Sequence, residues 1–238
     1  MNNKKKILVF TGAGVSKESG IETFRDSADG LWNNYRIEDV ASIQGWRKDK
    51  ELVLEFYNKR RAQLKEVEPN LAHTLISKLQ EDFDVTVVTQ NVDNLHERAG
   101  SANVIHLHGE LNKVRSTLDP KLVYNWTEDL NIGDKCEKDS QMRPHIVWFG
   151  EMLETKNTSS AIKAAQECDI CIIVGTSMVV SPANEIPFHI SEETPLYCID
   201  PDDLGFDVPS YMKHMFKHIK EPASTGMEQL YNQLTNER

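Results

Sequence analysis

Four places in the chain set a reactive side chain or bare backbone beside an apolar run. Gly12-Ala13-Gly14 directly follows the apolar stretch 5–10. Glycines there let a backbone approach a pyrophosphate, and the N-terminus of the next helix favours its charge. The next glycine is Gly20, so the spacing is not G-x-G-x-x-G, and a plain tight turn is the alternative. Gln90, Asn91 and Asp93 follow the run 84–89. An amide and a carboxylate at a strand tip can hold a carboxamide; an Asx turn is the alternative. His108, before Gly109, ends the run 104–107. An imidazole there suits general-base work near neutral pH, against the alternative of a structural histidine. His106, on the same sheet face, and His96, on the presumed helix after Asp93, are read as structural. Tyr57 and Arg60 form Y-x-x-R, which shares one helix face; in isolation this reads as a partly buried tyrosine beside a solvated arginine.

The elements that must position these groups are short β-branched runs at 5–10, 84–89, 104–107, 169–174 and 195–199. Helical patterns lie between them, at 71–81 with Asn70 as N-cap and at 159–167. This alternation predicts an α/β fold, a Rossmann-like doubly wound parallel sheet. The stretch 27–66, with Trp32, Tyr35, Trp46, Phe56 and Tyr57, looks helical, and 110–145 looks polar and irregular. Both read as insertions forming a small second domain. The expected division is 1–26, 67–109 and 150–238 for the large domain, 27–66 and 110–149 for the small one.

The 238 residues suffice for this arrangement without covalent staples. Hydrophobic residues make up 39% and charged residues 27%, with a formal net charge of -10. That balance argues against nucleic acid as a partner, since duplex binding needs clustered Lys and Arg. It suits lysine-rich protein segments, although acidity also serves solubility alone. The N-terminal apolar run is too short for a signal peptide, and no stretch reaches a membrane span. Cys136, Cys168, Cys171 and Cys198 form no disulfide framework, so a cytoplasmic protein is expected.

Five segments taken together resemble the sirtuin family. They are Gly12-Ala13-Gly14-Val15-Ser16 continuing to Ser19-Gly20-Ile21 and Thr23-Phe24-Arg25; Thr89-Gln90-Asn91-Val92-Asp93 with Leu95-His96 and Ala99-Gly100; His108-Gly109; Arg143-Pro144-His145 through Phe149-Gly150-Glu151; and Gly175-Thr176-Ser177 with Val180, Pro182 and Ala183. They stand in family order and span most of the chain. The resemblance implies an NAD-dependent protein-lysine deacylase acting on acylated proteins or peptides. NAD is consumed: the acyl-lysine oxygen attacks the anomeric carbon, nicotinamide leaves, and O-acyl-ADP-ribose forms. His108, Asn91 and Asp93 are implied as catalytic. Gly12, Ala13, Gly14, Phe24, Arg25, Gln90, Asn91, Asp93, Gly175, Thr176, Ser177, Asp200 and Ala223 are implied as NAD contacts. Asp200 stands where most of the family has Asn; an acid there suits ribose hydroxyls and disfavours a 2′-phosphate. Val147, Phe149 and Gly150 match the segment that pairs with peptide substrate.

Tyr57 and Arg60, with Ala28-Asp29-Gly30-Leu31-Trp32, resemble the subclass that removes succinyl and malonyl groups. Arg60 would pair with the distal carboxylate and Tyr57 would add a donor. The family usually carries two C-x-x-C pairs as a zinc site. Here they align with Ser116, Asp119, Cys136 and Asp139, so no zinc is expected. A weak site of Cys136, Asp119 and Asp139 is the alternative. Leu118, Leu122, Val123, Tyr124, Trp126 and Leu130 are expected to supply a substitute core. Two other functions stay open, an ADP-ribosyltransferase on the same site and a non-catalytic NAD or ADP-ribose sensor. A monomer is the default.

Overall fold

The computed structural model describes residues 4–21 and 35–236. Its larger sheet contains β1 (Lys6–Thr11), β2 (Asp84–Thr89), β3 (Val104–His106), β7 (Ile170–Val174), β8 (Leu196–Ile199) and β9 (Phe216–Ile219), in the order β3-β2-β1-β7-β8-β9. Every neighbouring pair is parallel. All six carboxyl ends therefore open along one edge, and the winding reverses between β1 and β7, where such folds bind ligands.

The central strands read as unbroken apolar runs because both of their faces are covered. Ile7 and Val9 of β1 pack toward α5 (Leu71–Lys78) and α8 (Ala223–Asn236) with Leu75, Ile76, Met227 and Leu230. Leu8 and Phe10 face the other way, toward Ala161 and Ala165 of α7 (Thr155–Glu167). Each fully buried Leu, Ile, Val, Phe or Met among them contributes roughly 1.5–3 kcal/mol. The Asn70 side chain caps α5 by accepting from the backbone N–H of Ala72 and His73. His73 closes the box where Glu is usual, its Nδ1 accepting from the Asn70 N–H at 3.3 Å. The expected helix 71–81 ends in a 3-10 turn, Leu79–Glu81.

A third core joins α2 (Ile37–Val40), α3 (Ile43–Lys48) and α4 (Lys50–Glu66) to an antiparallel sheet in the order β5-β4-β6. Its strands are β4 (Gly109–Ser116), β5 (Val123–Asn125) and β6 (Met142–Ile146). The stretch expected to be irregular thus contains an ordered sheet. Its charges are satisfied by pairing, Lys113 with Glu110 and Arg115 with Glu151. Buried Arg61 ties α4 to this sheet, its Nε donating to the Leu111 carbonyl at 3.0 Å. The substitute core holds only in part. Leu130 is fully buried in this core and Leu122, Tyr124 and Trp126 pack against the same cluster, but Leu118 is 67% exposed and Val123 37%. Among the described residues, no helix is long and apolar enough to cross a membrane.

Candidate functional site

A cleft of about 540 Å³ lies along the carboxyl edge of the six-stranded sheet. Its floor is made where the turns after β1 and β7 meet backbone to backbone. The Gly14 N–H donates to the Gly175 carbonyl at 2.8 Å and the Gly12 N–H to the Val174 carbonyl at 3.1 Å. A Cβ on Gly12 would stand 2.6 Å from that of Thr176; one on Gly175, whose φ is +59°, would stand 2.3 Å from the Val15 nitrogen. Contact and conformation both demand glycine there. Gly175→Ala is therefore expected to cost about 2–4 kcal/mol of stability; an unchanged midpoint in urea unfolding would contradict this.

Beside that floor, the loop between β2 and α6 (Leu95–Arg98) brings Gln90, Asn91 and Asp93 against the turn after β1 and the short α1 (Gly14–Lys17). Gln90 Nε2 donates to Thr176 Oγ1 at 2.9 Å. Asn91 and Asp93 are buried and joined through Ser16: Asn91 Nδ2 donates to Ser16 Oγ, which donates to Asp93 Oδ2, each at 3.0 Å. Asp93 Oδ1 accepts from the Leu95 N–H, an Asx turn within the same constellation. Burial lifts the Asp93 carboxyl above its usual range despite those two hydrogen bonds. His73 and His96 pack edge to face at 4.8 Å nearby, and burial pushes His73 down to about 4 and His96 well below its ordinary value. Ser16 stands within the glycine motif, where its sequence context shows no role for it. Its partners lie 75 and 77 residues away, so no local pattern could reveal them.

His108 lines the cleft with its Nδ1 3.0 Å from the Gln90 carbonyl oxygen. A carbonyl only accepts, so Nδ1 carries the proton and Nε2 keeps its lone pair. Burial lowers the His108 pKa, with the Gln90 hydrogen bond opposing, so the neutral base prevails near pH 7. Ser177, Asp200 and Ala223 line the same cleft, as do Val147, Phe149 and Gly150. The N–H groups of Val147 and Phe149 donate to the carbonyls of His108 and Ala41, and that of Trp148 to Glu151 Oε2. A peptide strand on this edge would have to pair through other groups. The turn is braced by Glu151, which accepts from Arg143 at 2.6 and 2.8 Å and from Arg115 at 3.1 Å. Burial works against its charge, but the two guanidiniums hold it below the usual range.

Tyr57 and Arg60 of α4 both reach the cleft. Tyr57 is 2% exposed, and its hydroxyl accepts from Trp148 Nε1 at 2.9 Å. The indole has no acceptor, so the tyrosine's own proton stays available for donation. Phe24, Arg25 and the 28–32 stretch lie outside the described residues.

The Sir2 family profile matches residues 12–182. The chain belongs to this family. An "NAD-dependent protein deacylase" of Helicobacter pylori (strain ATCC 700392 / 26695) is 46% identical over 230 residues, covering 97% of each chain. A protein of that name in Bacteroides thetaiotaomicron is 44% identical over 232 residues, 95% of this chain and 96% of the relative. The solved structure of a Sir2 homolog–NAD complex superposes with a TM-score of 0.85 at 38% identity, over 98% of this chain and 91% of the other.

Around Ser116, Asp119, Cys136 and Asp139, the positions that the sequence aligned with two C-x-x-C pairs, this chain has a hydrogen-bonded knot. Cys136 Sγ donates to Ser116 Oγ at 3.3 Å, and Ser116 Oγ also accepts from the Leu118 and Asp119 N–H groups. Lys138 pairs with Asp119 at 2.7 Å and Lys135 with Asp139 at 2.8 Å. Ammonium groups thus engage both carboxylates that the weak-site alternative would need. No group of three His, Cys, Asp or Glu suited to a metal occurs among the described residues. A zinc chelator is expected to leave Tm unchanged in a thermal melt; a fall of several degrees would reveal a resident metal.

Proposed function

We propose that this chain is an NAD-dependent protein-lysine deacylase that favours succinyl and malonyl over acetyl groups. The observation that carries the reading is His108, whose Nδ1 is held by the Gln90 carbonyl so that Nε2 is left as the basic nitrogen, in a cleft whose floor has no room for a Cβ at Gly12, Gly14 or Gly175. The floor suits NAD: bare backbone at Gly12, Ala13 and Gly14 would lie along the pyrophosphate, with Gly175, Thr176 and Ser177 under the adenosine half. Asp200 would take ribose hydroxyls and Ala223 the adenine. Asn91 and Asp93, aligned through Ser16, would hold the nicotinamide carboxamide, with Gln90 bracing the loop; Phe24 and Arg25 are assigned here by resemblance alone.

When bound, NAD supplies an anomeric carbon with a good leaving group, and its ADP-ribose part accepts the acyl group. The protein's work is placement, desolvation and one proton transfer. His108 Nε2 would take the proton of a ribose hydroxyl, making that oxygen a nucleophile. Val147, Phe149 and Gly150 would border the substrate backbone. Arg60 would pair with the distal carboxylate of a succinyl or malonyl group, with the Tyr57 hydroxyl donating beside it.

Incubating succinyl-, acetyl- and unmodified lysine peptides with NAD and weighing the peptides tests this. Loss of the acyl mass, fastest from succinyl-lysine, is expected. A gain of ADP-ribose on the peptide would instead indicate a transferase, and no change a sensor.

A further inference from the structure

His106 has two partners, and both can only accept a proton. Its Nδ1 lies 2.9 Å from the Asn91 carbonyl oxygen and its Nε2 2.8 Å from Glu97 Oε1. A neutral imidazole has one N–H and can serve only one of them. An imidazolium serves both. The ring is 6% exposed, so water cannot readily stand in for a lost partner. Asn157 Nδ2, from α7, donates to the His106 carbonyl at 2.9 Å and fixes its backbone.

We propose that His106 is a positioning residue, held as an imidazolium between the Asn91 carbonyl and the Glu97 carboxylate, where it fixes the loop that carries Asn91 and Asp93 into the cleft. This rests on the deacylase reading for its effect on turnover. The geometry forms a two-point grip: His108 Nδ1 holds the Gln90 carbonyl while His106 Nδ1 holds the next one. With the Asn91 backbone pinned, its side chain is aimed at Ser16 and, through it, at Asp93.

The charged surroundings agree. Burial disfavours a charge on His106, but the Glu97 hydrogen bond and charge, the Asn91 carbonyl and Glu110 together raise its pKa. Glu97 is lowered against its own burial by His106, with Lys113 assisting. Asp93 faces the ring favourably and His96 unfavourably. The raised His106 pKa makes the grip complete below the ordinary histidine value and lost as pH climbs through the raised one. The lowered Glu97 pKa makes it weaken again when pH falls far enough to protonate that carboxyl.

Two variants and one spectrum test the proposal. Long-range ¹⁵N–¹H NMR at about pH 6.5, the ordinary histidine value, should show both His106 nitrogens protonated in most of the native protein, because its pKa is raised. In Glu97→Gln the amide donates to Nε2, so a neutral ring can keep both contacts; a single protonated nitrogen and a flatter alkaline limb of kcat are expected. His106→Gln should lower kcat roughly tenfold or more, with peptide KM nearly unchanged, because the reacting groups are misplaced but the peptide still binds. A His106 that is mostly neutral at about pH 6.5, matching alkaline limbs in native protein and Glu97→Gln, or an unchanged kcat in His106→Gln would each overturn it. Absence of turnover in the native protein would sink the deacylase reading, and the spectrum would still decide whether His106 is charged.

Discussion

His108→Ala is expected to lower acyl-lysine turnover by roughly 10²–10⁴-fold, the range over which a positioned general base acts. The loss should be selective. The proposed role of His108, taking the proton of a ribose hydroxyl, comes after nicotinamide has departed, so exchange of labelled nicotinamide into NAD should persist in the variant when acyl peptide is present. The native protein should also show an acid limb in its pH–rate profile. Burial depresses the His108 pKa, so activity should hold as pH falls past the ordinary histidine value and drop only below it. The alanine variant should lack that limb. Loss of exchange in parallel with turnover would move His108 to an earlier step.

Arg60→Met is expected to reduce kcat/KM for succinyl- and malonyl-lysine by roughly 10- to 100-fold, the value of a charge-assisted hydrogen bond to a desolvated carboxylate. Deacetylation should change by no more than about threefold, since an acetyl group offers the guanidinium no partner. Methionine retains most of the apolar length of the arginine stem, so α4 should keep its packing. Tyr57→Phe should show the same selectivity in weaker form, having lost one neutral donor and the acceptor for Trp148 Nε1. If both reactions fell equally after Arg60→Met, the pair would have no part in acyl choice.

Most of the large sheet was legible because β1, β2, β7 and β8 are covered on both sides and show it as apolar runs. The strand β9 was not, because an edge strand reading Phe-Lys-His-Ile looks like loop. The sheet β5-β4-β6 was hidden for a related reason. Glu110, Lys113 and Arg115 in β4 look solvated one at a time and become compatible with a strand only through their ion pairs. Motif positions located Asn91, Asp93 and His108, while the grip of Ser16 and the charge state of His106 depend on partners that the folded chain alone brings near. The Asx turn weighed against a ligand role for Asp93 is present, made by one oxygen while the other faces Ser16.

The most direct test follows the acyl group after it leaves lysine. With succinyl-lysine peptide and NAD, mass spectrometry should find one O-succinyl-ADP-ribose and one nicotinamide for every lysine freed. Free succinate produced while NAD stays intact would contradict the account, because the cleft would then be hydrolysing an amide without the dinucleotide that its glycine floor is proposed to hold.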